Sequence, residues 1–494
     1  LLASNGVVLL YNGAYTNRGT MVVSTLSIAQ GMDGSGPTKA TFFMDQGQFT
    51  ATNSIILAGG LDISEGGGIL FTQQFLHAGG TVNNGGTLTL VTGNIRGDLR
   101  ALVQIGGGAT AATWTNAGAV RVVDMNGATG GGGTSWGALT VTNLGTMIVA
   151  GDISVGAIAN SSRAAANFHR GTGTVSVVDG GKLVTTGNFN LGTLTSALAS
   201  NAVAVATLNI GATSGDNGLS QVFVTNSGET ATLQIGAWSN SVANGAAASG
   251  VLNLKSGTLT VDRLIATNGY TMASTVNFTG GALITKSTTI AKGSAFAVGD
   301  GTQVASLALA NAIGGAAGYH RFQDGLTIAD NATLKGNGTV IGATTVSSGG
   351  TLSPGFSLGS MTFSNDLNLA GAYRIELDGG NSSADSINVL GTLNLTGATF
   401  SFTNLNVAST NSTIVFGHWA GITGTNAMTS ATSGLDAGAF ATSSTTLITT
   451  NVPVVYLNYL GGNELAITIP EPSAMTLVGI GLFGAAMLLR RRRQ

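Results

Sequence analysis

Cysteine is absent from the chain, which excludes disulfides and thiolate metal centres. Proline is scarce, with 5 in 494 residues, and charged residues make up only 8%. Disordered low-complexity chains are usually rich in both and poor in β-branched apolar residues. These two scarcities, beside 43% hydrophobic residues, therefore argue for a folded body with a buried core. Net charge is -2 and no basic stripe runs along the chain, so no nucleic-acid partner is expected. The histidines number four, His77, His169, His320 and His418, and none has metal-ligand spacing. Acidic residues are few and scattered. No catalytic residue, cofactor or metal site is legible, and the expectation is a protein that is not an enzyme.

What the chain has in quantity is glycine, 77 residues, set among Thr, Ser and Asn. The pattern T-N-x-G occurs at Thr16–Gly19, Thr115–Gly118, Thr142–Gly145 and Thr225–Gly228, beside β-type runs such as "VRVV" and "TMIVA". Asn tolerates the left-handed region and Gly enters it freely, so the pattern predicts turns between strands. A second pattern, G-T followed by Leu, Val or Met, opens short alternating runs at Gly80, Gly86, Gly145, Gly173, Gly257 and elsewhere.

Longer units align as well. "GTVSVVDGGKLVTTGNFNLGT" from Gly173, "GVLNLKSGTLTVDRLIATNG" from Gly250 and "STVNFTGGALITKSTTIAKG" from Ser274 each give strand, turn, strand, turn, strand. Three short strands in roughly 20 to 25 residues suit one coil of a parallel β-helix, whose inward Val, Leu and Ile are buried only by stacking. The fold expected is all-β, a right-handed parallel β-helix (β-solenoid) with a C-terminal transmembrane helix. Spacing alone leaves an antiparallel sandwich or barrel open. "NGATGGGGTSWG" (126–137) and "SNSVANGAAASG" (239–250) are expected to be loops protruding from the coils.

Four regions are expected: solenoid repeats over 1–324, closing coils over 325–405, a further β region over 406–469, and a C-terminal tail over 470–494. The opening, "LLASNGVVLLYNGAYTNRGT", has no initiator Met and no basic residue ahead of an apolar run of signal-peptide length, and T-N-x-G is already present at Thr16. The chain is expected to start inside a repeat, with the true N-terminus and export signal ahead of it.

Glu376 and Asp378 in "YRIELDG" share a strand face with Arg374, opposite Ile375 and Leu377, as on a solvated face. "FHRGTGTV" around His169 and "YHRFQDGLTI" around His320 share an aromatic, His and Arg before a strand. The structural reading, a repeated loop-to-strand entry, is favoured over a sugar-binding corner. Gly479, Gly481 and Gly484 spell G-x-G-x-x-G, but no strand precedes them and the fingerprint fails its context.

Ala474–Leu489 is uncharged and, as a helix, about 24 Å long against a hydrocarbon core of about 30 Å. Arg490, Arg491, Arg492 and Arg493 follow it and would stay cytoplasmic, leaving the body across the membrane.

Two resemblances follow from these residues. The run "GNGTV" to "GGTLSPGFSLGSMTFSNDLNL", with "YRIELDG" and "ADSINVLGTLNL", resembles the closing coils of autotransporter-associated β-strand repeat proteins, which implies a β-helical body. The tail resembles the PEP-CTERM sorting signal of Gram-negative exported proteins: Pro470, Glu471 and Pro472 match the motif, the segment to Leu489 the membrane helix, and Arg490–Arg493 the basic end. That resemblance implies an exosortase, a membrane cysteine transpeptidase, as partner, a transient inner-membrane intermediate through residues 474–489, and release to the cell surface or exterior. The function expected is a structural or adhesion protein of the cell surface or matrix, with extracellular polysaccharide as a further partner. A β-helical polysaccharide lyase or hydrolase, or a heavily glycosylated coat component, are the alternatives.

Overall fold

The computed structural model describes residues 6–10, 13–28, 39–59, 70–92, 98–124, 133–161, 169–197, 202–212, 216, 218–238, 247–268, 272–291, 293–311, 315, 318–378, 382–405, 412–424, 429–430, 439–441, 454–456 and 462–469. Among them the regular structure is β-strand, and no helix is long and apolar enough to cross a membrane. The sorting helix expected over 474–489 lies outside the described residues. The chain forms two compact units that change over between about residues 309 and 325.

In the first unit three strand positions recur in each coil. The first is occupied in turn by Gly13–Asn17, Lys39–Met44, Leu70–His77, Asp98–Ile105, Gly133–Val141, His169–Val177, Ala202–Ile210, Ala247–Leu254 and Thr275–Phe278, each paired in parallel with the next. The second includes Gly80–Asn84, Ala112–Asn116, Gly145–Val149, Lys182–Thr185 and Gln221–Val224. The third includes Thr87–Thr92, Val120–Asp124, Ile153–Ser161, Phe189–Ala197 and Thr232–Trp238. Every one of these pairings is parallel, so the unit is a β-solenoid and not an antiparallel sandwich or barrel.

Val251 faces Thr275 in register, which makes the units recognised at Gly250 and Ser274 successive coils. Other coils are longer than expected. Ser176, Asn209, Asn253 and Asn277 hydrogen-bond along one row at separations of 33, 44 and 24 residues. Hydrogen bonding fixes the rise between coils at about 4.8 Å, whatever the length of chain in each. The variable length falls at the corners, both between the third strand of one coil and the first of the next, as between Trp238 and Ala247, and between the first and second strands, as between Ile210 and Gln221. The expected loops are shorter than the sequence suggested: Gly133–Gly137 and Ala247–Gly250 lie in strands, and the remainder of each lies outside the described residues.

Inward positions stack like with like. Met44, His77, Ile105, Val141, Val177, Ile210, Leu254 and Phe278 form one column through successive coils, each at most 3% exposed. Beside it Phe42, Phe49, Phe75 and Trp114 cluster, with ring centroids 4.7 Å apart for Phe42 and Phe75 and 4.8 Å for Phe75 and Trp114. No coil could bury such a face alone, so stacking supplies the core.

All four T-N-x-G motifs fall at turns between consecutive strands, but for a different reason from the one expected. None of their Asn or Gly residues has positive φ; Leu144 (φ 59) and Glu229 (φ 54) take that role beside two of them. The Asn side chains do the work by hydrogen bonding. Asn226 Oδ1 accepts from the backbone N–H of Gly228 and Thr230 at 3.1 and 3.0 Å, and Asn116 Nδ2 donates to the Gly118 carbonyl at 2.6 Å. This is the local side-chain bonding that makes Asn a turn residue. Left-handed glycine is needed at the corner before the second strand, where a Cβ on Gly80 (φ 88) would stand 2.5 Å from the Gly47 carbonyl oxygen of the adjacent coil.

The second unit is built from shorter coils. Leu326–Ile328, Thr344–Val346 and Leu367–Leu369 stack in parallel, as do Gly338–Ile341, Ser360–Phe363 and Ser386–Asn394, and Thr351–Pro354, Ala372–Asp378 and Thr399–Leu405. Tyr373, Phe400, Phe402 and Phe416 fill its interior, and Tyr373 donates its hydroxyl to the Phe416 carbonyl at 2.8 Å. Antiparallel pairing then joins the parallel order: Ser412–Thr423 and Val454–Tyr456 both pair antiparallel with Glu464–Ile469.

Candidate functional site

Acidic side chains in the solenoid cluster at corners, where they serve the backbone. Asp216, buried, accepts from Ser220 Oγ, from Ser256 Oγ at 2.7 Å and from the Gly180 N–H at 3.2 Å. Asp262, fully buried, accepts from the Asn226 N–H at 2.9 Å and from Lys286 Nζ at 3.0 Å, while Glu229 takes the same ammonium at 2.7 Å. Burial works against the charge on Lys286, but the two carboxylates outweigh it and raise its pKa. The ammonium thus stays charged and holds three turns together.

The expected solvated face at Arg374, Glu376 and Asp378 is only partly that. Arg374 is exposed and Glu376 half-buried, but Asp378 is buried where Leu377 and Asp378 pair back on Ser383 and Ala384. Between these strands Asp385 accepts the Gly359 N–H at 2.8 Å and the Glu376 N–H at 2.9 Å. Burial pushes its carboxyl up to about 6, against the lowering effect of those two bonds.

The histidines do not converge. His77 and His320 are both fully buried, and burial lowers each to about 4, so they are neutral at pH 7. His77 Nε2 lies 3.1 Å from the Gly80 carbonyl. His320 sits inside the strand Tyr319–Phe322 rather than in a loop ahead of one. His169 opens a strand, though its side chain lies outside the described residues. His418 is exposed, 3.6 Å from Glu464.

The outward face of the first strand position carries the feature that sequence reading missed. Leu99, Arg100, Thr134, Trp136 and Thr172 line a depression of about 420 Å3. Parallel register sets Arg100 opposite Trp136 and Trp136 opposite Thr172, on three successive coils. Alternation turns Leu99, Ser135 and Leu139 inward and leaves Arg100 and Trp136 on the surface, the Trp ring 36% exposed. Reading 126–137 as a loop hid Trp136. The alternation of "TSWGALTV", in step with "LRALVQI", was the available signal.

Pro470, Glu471, Pro472 and Arg490–Arg493 lie outside the described residues. No curated protein matches the chain. A family model of the PEP-CTERM protein-sorting motif matches residues 468–493, the tail and not the β body. That motif marks a protein exported through the membrane towards the cell surface as a substrate of exosortase.

Proposed function

We propose that the chain is a non-enzymatic structural or adhesion protein of the cell surface or extracellular matrix, released there by exosortase. The observation that carries the reading is the sorting match over 468–493, which begins where the last described strand of a β-solenoid body, Glu464–Ile469, ends. In this reading Pro470–Pro472 is presented to the enzyme, because two prolines flanking Glu471 remove backbone donors and favour an extended chain. Residues 474–489 hold the precursor in the inner membrane, and Arg490–Arg493 stop it on the cytoplasmic side. The body resembles autotransporter-like β-strand repeats, which fits an extended surface module.

The lyase or hydrolase alternative has one observation in its favour, the meeting of Glu229 and Asp262 from adjacent coils. Both are taken up by Lys286, and Asp262 by a backbone N–H as well, so neither is offered to a substrate. Incubation with a panel of acidic polysaccharides is expected to release no new reducing ends or unsaturated products.

Fractionation with intact-mass measurement tests the main reading. The expected result is a surface or extracellular body lacking the arginine cluster. Intact protein carrying Arg490–Arg493 in the cytosol would overturn it.

A further inference from the structure

The strands around Trp136 differ in charge balance from the chain as a whole. The chain carries 21 acidic against 19 basic residues, yet the nine strands of the first position hold Lys39, Arg100 and Arg170 against a single acidic residue, Asp98. The carboxylates of this unit are drawn to the corners instead, as with Asp216 and Asp262.

Arg170 is exposed and stands opposite Thr134 in register, and Arg100 stands opposite Trp136. The two arginines are therefore two coils apart, about 10 Å along the axis, with the Trp136 ring on the coil between them. A pyranose presents an apolar face of C–H groups that an exposed indole can cover, and equatorial hydroxyls that Thr134 and Thr172 can meet. A sugar carboxylate suits the planar fork of a guanidinium better than any neutral substituent.

From this juxtaposition we propose that the first-strand face at Arg100, Trp136, Thr172 and Arg170 is a binding site for an acidic polysaccharide, a polyuronate lying along the solenoid axis. The indole stacks on one ring, and the arginines take carboxylates on neighbouring rings. This deepens the adhesion reading, on which it rests for its setting. Parallel stacking suits a polymer, because one strand position repeats at a constant rise and successive sugars meet equivalent rows of the face.

The test is titration of the purified full chain with polygalacturonate, neutral dextran and dextran sulfate, followed by affinity electrophoresis. Binding is expected for polygalacturonate and not for dextran. Trp136→Ala and Arg100→Gln are each expected to weaken it about tenfold or more. Trp136→Phe, which keeps an aromatic ring and strand propensity, is expected to restore part of the loss. Arg121→Gln, an exposed arginine paired with Asp124 away from this face, is expected to leave it unchanged. Circular dichroism identical to the parent shows that each variant is folded. The proposal is overturned by failure to bind polygalacturonate, by equal affinity for dextran sulfate with Trp136→Ala indifferent, which is plain ion exchange, or by an equal loss in Arg121→Gln. None of these outcomes bears on the export reading, which is decided by where the tail is cut.

Discussion

The two units use the same parallel stacking with different lengths of chain per coil. In the first, hydrogen-bonded rungs lie 33, 44 and 24 residues apart along one row; in the second, Asp330 reaches the Gly349 N–H across 19 residues, and Asn365 and Asn337 reach Gly342 and Ser360 across 23. Pitch is set by backbone hydrogen bonds, so chain length is free only where a corner leaves the stack. The first unit varies it at more than one corner, as at Ile210–Gln221 and Trp238–Ala247. What both hold constant is a carboxylate or amide at the corner that caps an N–H of a neighbouring coil.

Glycine gives the largest test of that comparison. A Cβ on Gly86 of the first unit would stand 1.5 Å from the Asn53 carbonyl oxygen, whereas one on Gly421 of the second meets nothing nearer than 3.6 Å. Gly86→Ala is expected to cost about 4 kcal/mol or more, and Gly421→Ala less than about 1 kcal/mol, read by urea unfolding.

Next comes Lys286→Met, which leaves Glu229 and Asp262 facing each other without their shared cation. A loss of about 3 kcal/mol is expected, with a good part regained when Glu229→Gln is added. A double-mutant cycle in denaturant would measure it.

Acid acts on the two units to different extents. His77 titrates near 4 in the folded first unit against 6.5 in an unfolded chain, so the unfolded state binds more protons between those values. Stability is therefore full above about pH 6.5 and is lost as pH falls towards 4. His320 acts the same way in the second unit, but Asp385 opposes it. Its carboxyl holds a proton up to about 6 when folded and only to 3.8 when not, so its contribution is lost as pH rises from about 4 to about 6. Thermal melts from pH 4 to 7 should show the slope flatten in His77→Leu and steepen in Asp385→Asn.

The smallest effect is expected for Asn253→Ala, which breaks the amide row at Asn209 and Asn277 on a partly exposed face, about 1 kcal/mol.

Stacking was legible wherever the strand pattern was strong. The Gly250 and Ser274 units are true neighbours because their inward residues, Leu252 with Val276 and Leu254 with Phe278, repeat in step. Corner length was not, because nothing in a turn's sequence reports how much chain leaves the stack before the next strand. The turn position of T-N-x-G was readable and its mechanism was not: φ is set by the whole corner, so Leu144 and Glu229 took the left-handed place. Trp136 escaped because four glycines precede it and a loop was the simpler reading of that run. Register, which only the fold supplies, is what brings it opposite Arg100.

The antiparallel end of the second unit also bears on how such a body would be handed over. Glu464–Ile469 is zipped on both sides, by Ser412–Thr423 and by Val454–Tyr456, and its final pair, Ile469 with Ser412, lies one residue before Pro470. A sheet edge left unpaired invites a second chain, and here the last described strand has a partner on each side. Scission beyond that point would break no rung of this ladder, so the parcel can be untied from its string without loosening its wrapping.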